Sequence, residues 1–204
     1  MNLSRRALLA SLAFLGVPGT AVPAETSSPT ATVAAFYDAL LALMKEARRL
    51  SFDQRYGRLQ PTVARTFDLA LMTRIAVGPQ WPQLSSDQQQ RLTDAFSRYT
   101  ISTYASRFDD FNGERFVIEP NPQQSPNGPV VATRMTRSDG DDVKLNYLMR
   151  REDDGTWRVI DMFLSGTVSE LATRRSEFVA VLRRDGAEGL VRLLERRVSE
   201  LRTG

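Results

Sequence analysis

The feature that most constrains the fold is a change in the period of the apolar residues after Asn112-Gly113. Before this point apolar residues recur at three- and four-residue steps, which is typical of helices with one buried face. From Glu114 they alternate with polar residues, which is typical of strands, and after Ser169 the helical period returns. Helices, a sheet and helices again predict an α+β domain, in which a curved antiparallel sheet is covered by the N-terminal and C-terminal helices.

Three helices are predicted before the change of period, and their ranges are 31–50, 61–76 and 86–108. Pro61 suits the first turn of the second helix, because a helix needs no hydrogen bond from that nitrogen. Ser85 and Gln88 have the spacing of a capping box at the start of the third helix. The last part of the chain, 169–202, is predicted as two helices because Gly186 interrupts its pattern.

About four antiparallel strands are predicted between residues 114 and 164. The turns between the last three strands are predicted at Ser138-Asp139-Gly140 and Asp153-Asp154-Gly155, both of which are typical of hairpins. Residues 120–129, rich in Pro and Asn, are predicted as a loop. The strand ranges are 114–119, 130–137, 142–151 and 156–164.

The N-terminus, residues 1–24, has the three-part layout of a secretory signal peptide. Arg5–Arg6 give a positive start, Ala7–Val17 is apolar and uncharged, and small residues precede a cleavage site after Ala24. The apolar run is shorter than the roughly 20 residues of a membrane span. We therefore expect a single mature domain, 25–204, in the periplasm, by either the Sec or the twin-arginine route.

Cysteine and histidine are both absent from the chain. This excludes the usual zinc, haem, copper and iron–sulfur sites, and also Ser-His-Asp and Cys-His catalysis. The formal net charge is +3, and two arginines leave with the signal, so the exported chain is nearly neutral. Such a chain is unlike a nucleic-acid-binding protein. We expect no metal, no cofactor and no nucleic acid.

Asp161 is an acid in a strand that is otherwise apolar on both faces, where an unpaired carboxylate is costly. One hypothesis makes Asp161 a general base in a pocket, with Tyr147 as the oxyanion donor of a small enzyme. The alternative is an acid whose partners are arginine or backbone donors of the segment 166–170. Strict alternation places Asp161 on one strand face with Val159 and Phe163.

Aromatic residues are concentrated between Trp81 and Phe116. They are either core or the lining of an apolar ligand cavity, and periodicity alone does not separate the two. The C-terminal helices are rich in arginine, and there the alternatives are a solvated surface and an adaptor surface for anionic lipid or a membrane partner. These arginines are Arg174, Arg175, Arg183, Arg184, Arg192, Arg196, Arg197 and Arg202.

A series of short motifs resembles the periplasmic MlaC family over nearly the whole mature chain. They include Phe67-Asp68 with Met72, Gly78 with Trp81, Thr103-Tyr104-Ala105, Gly113-Glu114 with Phe116, and Trp157-Arg158-Val159-Ile160-Asp161. Further motifs are similar to one branch, the hopanoid biosynthesis-associated HpnM proteins. They include Val77-Gly78-Pro79-Gln80-Trp81 and Ser169-Glu170-Leu171-Ala172.

The resemblance implies a soluble shuttle without enzymatic activity. It would hold a lipid in an apolar pocket between sheet and helices, and exchange it with membrane-bound transport complexes of the inner and outer membranes. The HpnM branch implies a hopanoid, with phospholipid as the alternative ligand, and we expect a monomer. The candidate lipid-binding residues are Phe67, Leu71, Met72, Ile75, Trp81, Phe96, Tyr99, Tyr104, Phe108, Tyr147, Val159 and Phe163.

Overall fold

The computed structural model describes residues 28–137, 140 and 142–203. The predicted signal peptide and most of the turn predicted around Gly140 lie outside this range. The described helices are α1 (Pro29–Met44), α2 (Phe52–Thr66), α3 (Leu69–Val77), α4 (Ser86–Arg107) and α5 (Glu170–Thr203). The described strands are β1 (Arg115–Ile118), β2 (Gln123–Ser125), β3 (Gly128–Val131), β4 (Thr133–Thr136), β5 (Val143–Arg151), β6 (Trp157–Leu164) and β7 (Val168–Ser169).

Serine side chains begin the first, second and fourth helices. Ser28 accepts a hydrogen bond from the amide of Ala31, which caps α1. The capping box predicted at Ser85 is confirmed, because Ser85 Oγ accepts from the Gln88 amide and the Gln88 side chain accepts from the Ser85 amide. These bonds satisfy backbone donors that the helix itself leaves free.

The helix predicted over 61–76 is wrong in its start and in its continuity. A second capping box, at Ser51, starts α2 nine residues before Pro61, so Pro61 lies inside a helix. At Phe67 the backbone turns extended, with φ −107° and ψ 136°. There the Asp68 amide donates to Val159 O of β6 at 2.9 Å, and the chain then re-enters a helix as α3. Pairing with the sheet therefore breaks the helix.

The sheet is antiparallel, and β5 lies at its centre. β6 pairs with one side of β5, whereas β3 and β4 follow one another along the other side. The strand predicted over 130–137 is thus divided at Ala132, and the predicted loop 120–129 contains β2 and the start of β3. More strands are described than the four predicted, but the α+β class with an open antiparallel sheet is confirmed.

A register shift in the β5–β6 pair decides which residues face the helices. Tyr147 lies opposite Met162, but two residues along β5 Met149 lies opposite Val159, so β6 contains one extra residue. An extra residue reverses the alternation of a strand. Val159 therefore shares a face with Met162, and the prediction that it shares a face with Phe163 is wrong.

The helices pack around this sheet. The residues of α1 that face inward, Val33, Phe36 and Leu40, are 0–1% exposed. α4 packs along α5, and α5 changes direction at Gly186, where φ is +66°. This conformation is accessible to glycine at little cost, and it confirms the interruption predicted there.

Within the described part of the chain, no helix is long and apolar enough to cross a membrane.

Candidate functional site

A cavity of about 330 Å³ lies between the sheet and helices α3, α4 and α5. Its walls are mainly aromatic, aliphatic and methionine side chains, with a few charged groups. The lining residues are Phe67, Met72, Phe96, Tyr99, Thr100, Thr103, Tyr104, Arg107, Phe108, Met135, Val143, Leu145, Tyr147, Met162, Leu164, Glu170, Leu171 and Arg174. A concave apolar site with few polar groups is typical of ligand-binding pockets.

Two periodicities build the walls of this cavity. On α4, Thr100, Thr103 and Arg107 recur at three- and four-residue steps, so they lie on one helical face. On β5, the lining residues recur every second position, as far as Tyr147. Met162 lies across from Tyr147 on β6, and so continues the same sheet face.

Of the twelve predicted lipid-binding residues, the structure brings seven to the cavity wall. They are Phe67, Met72, Phe96, Tyr99, Tyr104, Phe108 and Tyr147. The other five lie elsewhere. They are Leu71, Ile75, Trp81, Val159 and Phe163.

Each of these five has an identifiable position in the fold. Val159 is fully buried, and its backbone pairs with that of Phe67 in an isolated β-bridge. It therefore belongs to the hydrophobic core behind the cavity wall. Phe163 is on the opposite sheet face because of the extra residue in β6. Trp81 and Ile75 are half-buried and pack against the core from α3 and the short 3₁₀ helix after it, whereas Leu71 lies in the half-buried first turn of α3.

The buried hydroxyl groups of Tyr37, Thr133 and Tyr147 lie next to the wall that the sheet contributes to the cavity. The Tyr37 and Thr133 oxygens are 2.5 Å apart, and Tyr37 Oη lies 3.1 Å from Tyr147 Oη. Thr133 in turn donates to Leu145 O. Burial raises the pKa of Tyr37 to about 12, and it also raises the pKa values of Tyr104 and Tyr147 above their usual range. These hydroxyls are therefore neutral hydrogen-bonding groups at physiological pH.

Charged side chains are concentrated where α4 meets the start of α5. Arg174 donates to Tyr99 Oη at 2.6 Å and to Glu170 at 2.9 Å. Its guanidinium lies 4.9 Å from the centre of the Tyr99 ring, and that of Arg197 lies 5.8 Å from it. Because Arg174 and Arg197 belong to different halves of α5, Tyr99 links both halves to α4.

Asp161 and Tyr147 are not brought together. Leu148 lies opposite Asp161, whereas Tyr147 lies opposite Met162, so the two proposed catalytic groups occupy opposite sheet faces. Asp161 is 8% exposed and accepts hydrogen bonds from Ser169 Oγ at 2.5 Å and from the Leu171 amide at 3.4 Å. The acid is therefore satisfied by hydrogen bonds, as the alternative supposes, but among the described residues the donors near the start of α5 are the Ser169 hydroxyl and the Leu171 amide, and not an arginine or a backbone amide of the segment 166–170.

Most arginines of α5 already have partners. Arg184 pairs with Asp185, Arg197 with Glu177 and Arg202 with Asp53. Arg175 donates to Ile75 O at 3.1 Å. Within the described residues, the arginines of α5 with no ion pair are Arg175, Arg183, Arg192 and Arg196. Half of the eight arginines of α5 are therefore in ion pairs, and the pairs of Arg184 and Arg202 lie at the exposed surface.

Several lining residues were not predicted, although some of them had a signal. Val143 and Leu145 share the alternation of Tyr147, so the pattern alone could have placed them. Met162 and Leu164 needed knowledge of the register shift in β6. Arg107, Glu170 and Arg174 had no sequence signal that points to a cavity, because a charged residue at a helix end is ordinarily solvated.

Comparison with known proteins adds a family and a solved relative. A family model described as MlaC protein matches residues 34–196. A solved structure of the phospholipid-binding protein from Ralstonia solanacearum, in complex with a phospholipid, is 26% identical, with a TM-score of 0.74. The match covers 86% of this chain and 99% of that one. No curated protein matches the chain.

Proposed function

The chain belongs to the MlaC family, and from that premise we propose that it is a periplasmic lipid carrier without catalytic activity. It takes the apolar part of one lipid into the cavity between sheet and helices. As a monomer, it passes that lipid between membrane-bound transport complexes of the inner and outer membranes. The observation that carries the proposal is the apolar cavity of about 330 Å³ under α4 and α5.

The free energy of such binding comes from removing hydrocarbon from water. Each buried CH₂ contributes about 0.8 kcal/mol, so even part of an acyl chain gives useful affinity. The three methionines of the wall, Met72, Met135 and Met162, have flexible unbranched side chains that fit contents of different shape. A carrier of this kind needs no reactive group.

Two lipid classes fit the proposal. The motifs that resemble the HpnM branch favour a hopanoid, whereas the Ralstonia relative is described in complex with a phospholipid. Mass spectrometry of lipids extracted from the protein purified from its native periplasm separates them. Hopanoid as the dominant species supports the branch, phospholipid supports the family function alone, and no lipid above background contradicts the carrier.

A filled cavity tests the same proposal on the protein itself. Thr103→Trp places a large ring on the wall of the cavity. Thr93→Trp is its matched control, because both hydroxyls donate to the carbonyl four residues earlier in α4, and Thr93 is outside the cavity. We expect Thr103→Trp to bind a fluorescent fatty-acyl probe at least about tenfold more weakly, a change of 1.4 kcal/mol, at an unchanged melting temperature. Equal loss in both variants contradicts the cavity as the binding site.

A further inference from the structure

The charges that line the cavity do not cancel. Three of the lining residues are charged, namely Arg107, Glu170 and Arg174. Glu170 and Arg174 form an ion pair at 2.9 Å, with side chains only 17% and 19% exposed, and so neutralise each other. Arg107 is left as an excess positive charge on the wall of an otherwise apolar cavity.

Arg107 is free to take an anionic partner. Within the described residues it has no ion pair and no side-chain hydrogen bond, and it is exposed. Thr103 and Thr100 lie one and two turns earlier on the same face of α4, and both line the cavity. The apolar wall therefore ends in a hydroxyl-bearing stripe and then in a solvent-accessible guanidinium.

We infer that Arg107 binds the phosphate of a lipid head group at the mouth of the cavity, which makes the carrier selective for phosphate-bearing lipids over neutral ones. The inference rests on the proposed function, since it assigns the apolar part of the same lipid to the cavity. A guanidinium binds a phosphate through two parallel hydrogen bonds, a geometry that a neutral alcohol does not match. The ligand class is thus a phospholipid, not a hopanoid with an uncharged head.

Another explanation for Arg107 is its place in the last turn of α4, where a cation interacts favourably with the helix dipole. Arg74 provides the control for that explanation. It is exposed, lies in the last turn of α3, has no ion pair within the described residues, and does not line the cavity. A dipole effect or a general charge effect predicts equal behaviour of Arg107→Gln and Arg74→Gln.

The experiment measures the affinity of delipidated protein for two lipids with identical acyl chains, phosphatidylglycerol and diacylglycerol. We expect the wild-type protein to prefer phosphatidylglycerol by about tenfold, the size of effect expected for a charge-assisted hydrogen bond at a partly exposed site. Arg107→Gln should abolish the preference, with diacylglycerol binding unchanged, and Arg74→Gln should keep it. Both variants should melt at the wild-type temperature, because both side chains are exposed.

The outcomes separate the inference from the function on which it rests. Equal binding of the two lipids by the wild-type protein, or a preference that survives Arg107→Gln, overturns the head-group site and leaves the carrier intact. Failure to bind either lipid overturns both. Glycerol phosphate, which has the charge but no acyl chain, should not compete at concentrations where phosphatidylglycerol does. Competition lost only in Arg107→Gln would make this a site for soluble phosphate esters and contradict the lipid head group.

Discussion

Two neighbouring regions of the molecule use the same kinds of side chain to opposite effect. Beside α1, Phe36 is 1% exposed, and its ring meets Phe67 and Tyr104 edge to face at 5.2 and 5.3 Å. On their other side the same two rings line the cavity. One side of this aromatic pair is therefore fully packed, whereas the other faces space that no side chain fills.

The difference teaches that an apolar cavity depends on where the elements are held, and not on their composition. α1 lies directly against the sheet, so Val33 and Leu40 fill the gap. α4 and α5 are tied to each other by the contacts of Tyr99 with Arg174 and Arg197, at the edge of the cavity. Closely packed interiors tolerate few voids, so a cavity of this size calls for a ligand.

The largest expected effect is on the free energy of unfolding, and it appears when one truncation in each region is compared. Leu40→Ala should lower the free energy of unfolding by about 3 kcal/mol, because it creates a new cavity where packing is complete. Met162→Ala should cost about 1 kcal/mol or less, because its side chain already borders empty space. Urea denaturation of both variants measures the two losses. Equal losses would show that the cavity region is packed as tightly as the core, and would contradict the comparison.

How much of this difference the sequence predicts can be judged from particular residues. The aromatic face of α4 predicted Phe96, Tyr99, Tyr104 and Phe108 on the wall, because helical periodicity fixes a face over many turns. It could not predict that Phe36 is core and Tyr104 is wall, since both are aromatic residues on the inner face of a helix. That distinction depends on the distance between elements, which periodicity does not contain.

Strand predictions failed for a different reason. Alternation assigns faces only while the register is unbroken, and the single extra residue in β6 reverses every later assignment. Phe163 was therefore predicted for the cavity in place of Met162. The start of α2 was missed although its signal was present, because Ser51 and Gln54 have the same capping-box spacing as Ser85 and Gln88.

A smaller effect is expected at Asp161, which lies on the sheet face opposite Tyr147 and joins β6 to the start of α5. Asp161→Asn should lower the free energy of unfolding by about 2 kcal/mol, because the carboxylate accepts from Ser169 Oγ and from two backbone amides. Ser169→Ala should cost about 1 kcal/mol, since Ser169 also caps α5 through the Ala172 amide. Neither variant should change lipid transfer between vesicles once folded. If a folded Asp161→Asn protein lost lipid transfer while Ser169→Ala kept it, the hypothesis that Asp161 acts as a general base would be restored.

The smallest effect concerns an ion pair at the surface, between Arg48 after α1 and Asp110 after α4. The hydrogen bond from Arg48 holds the pKa of Asp110 at about 2, below its ordinary value of 3.8. Because the folded-state pKa is the lower one, the pair stabilises the fold above pH 3.8, and this contribution is lost as the pH falls from 3.8 towards 2. Both partners are at the surface, so salt screens the pair.

Asp110→Asn should therefore melt slightly below the wild-type protein at pH 7, and the gap should close as the pH approaches 2. The matched control is Asp109→Asn, since Asp109 is exposed and has no ion pair within the described residues. Differential scanning calorimetry from pH 7 to pH 2, at low and high salt, measures the gap. A gap that is independent of pH, or one that Asp109→Asn reproduces, would show that the pair does not hold α1 to the end of α4. The contrast between a region stabilised by packing and one left open for a ligand would then rest on the buried side chains alone.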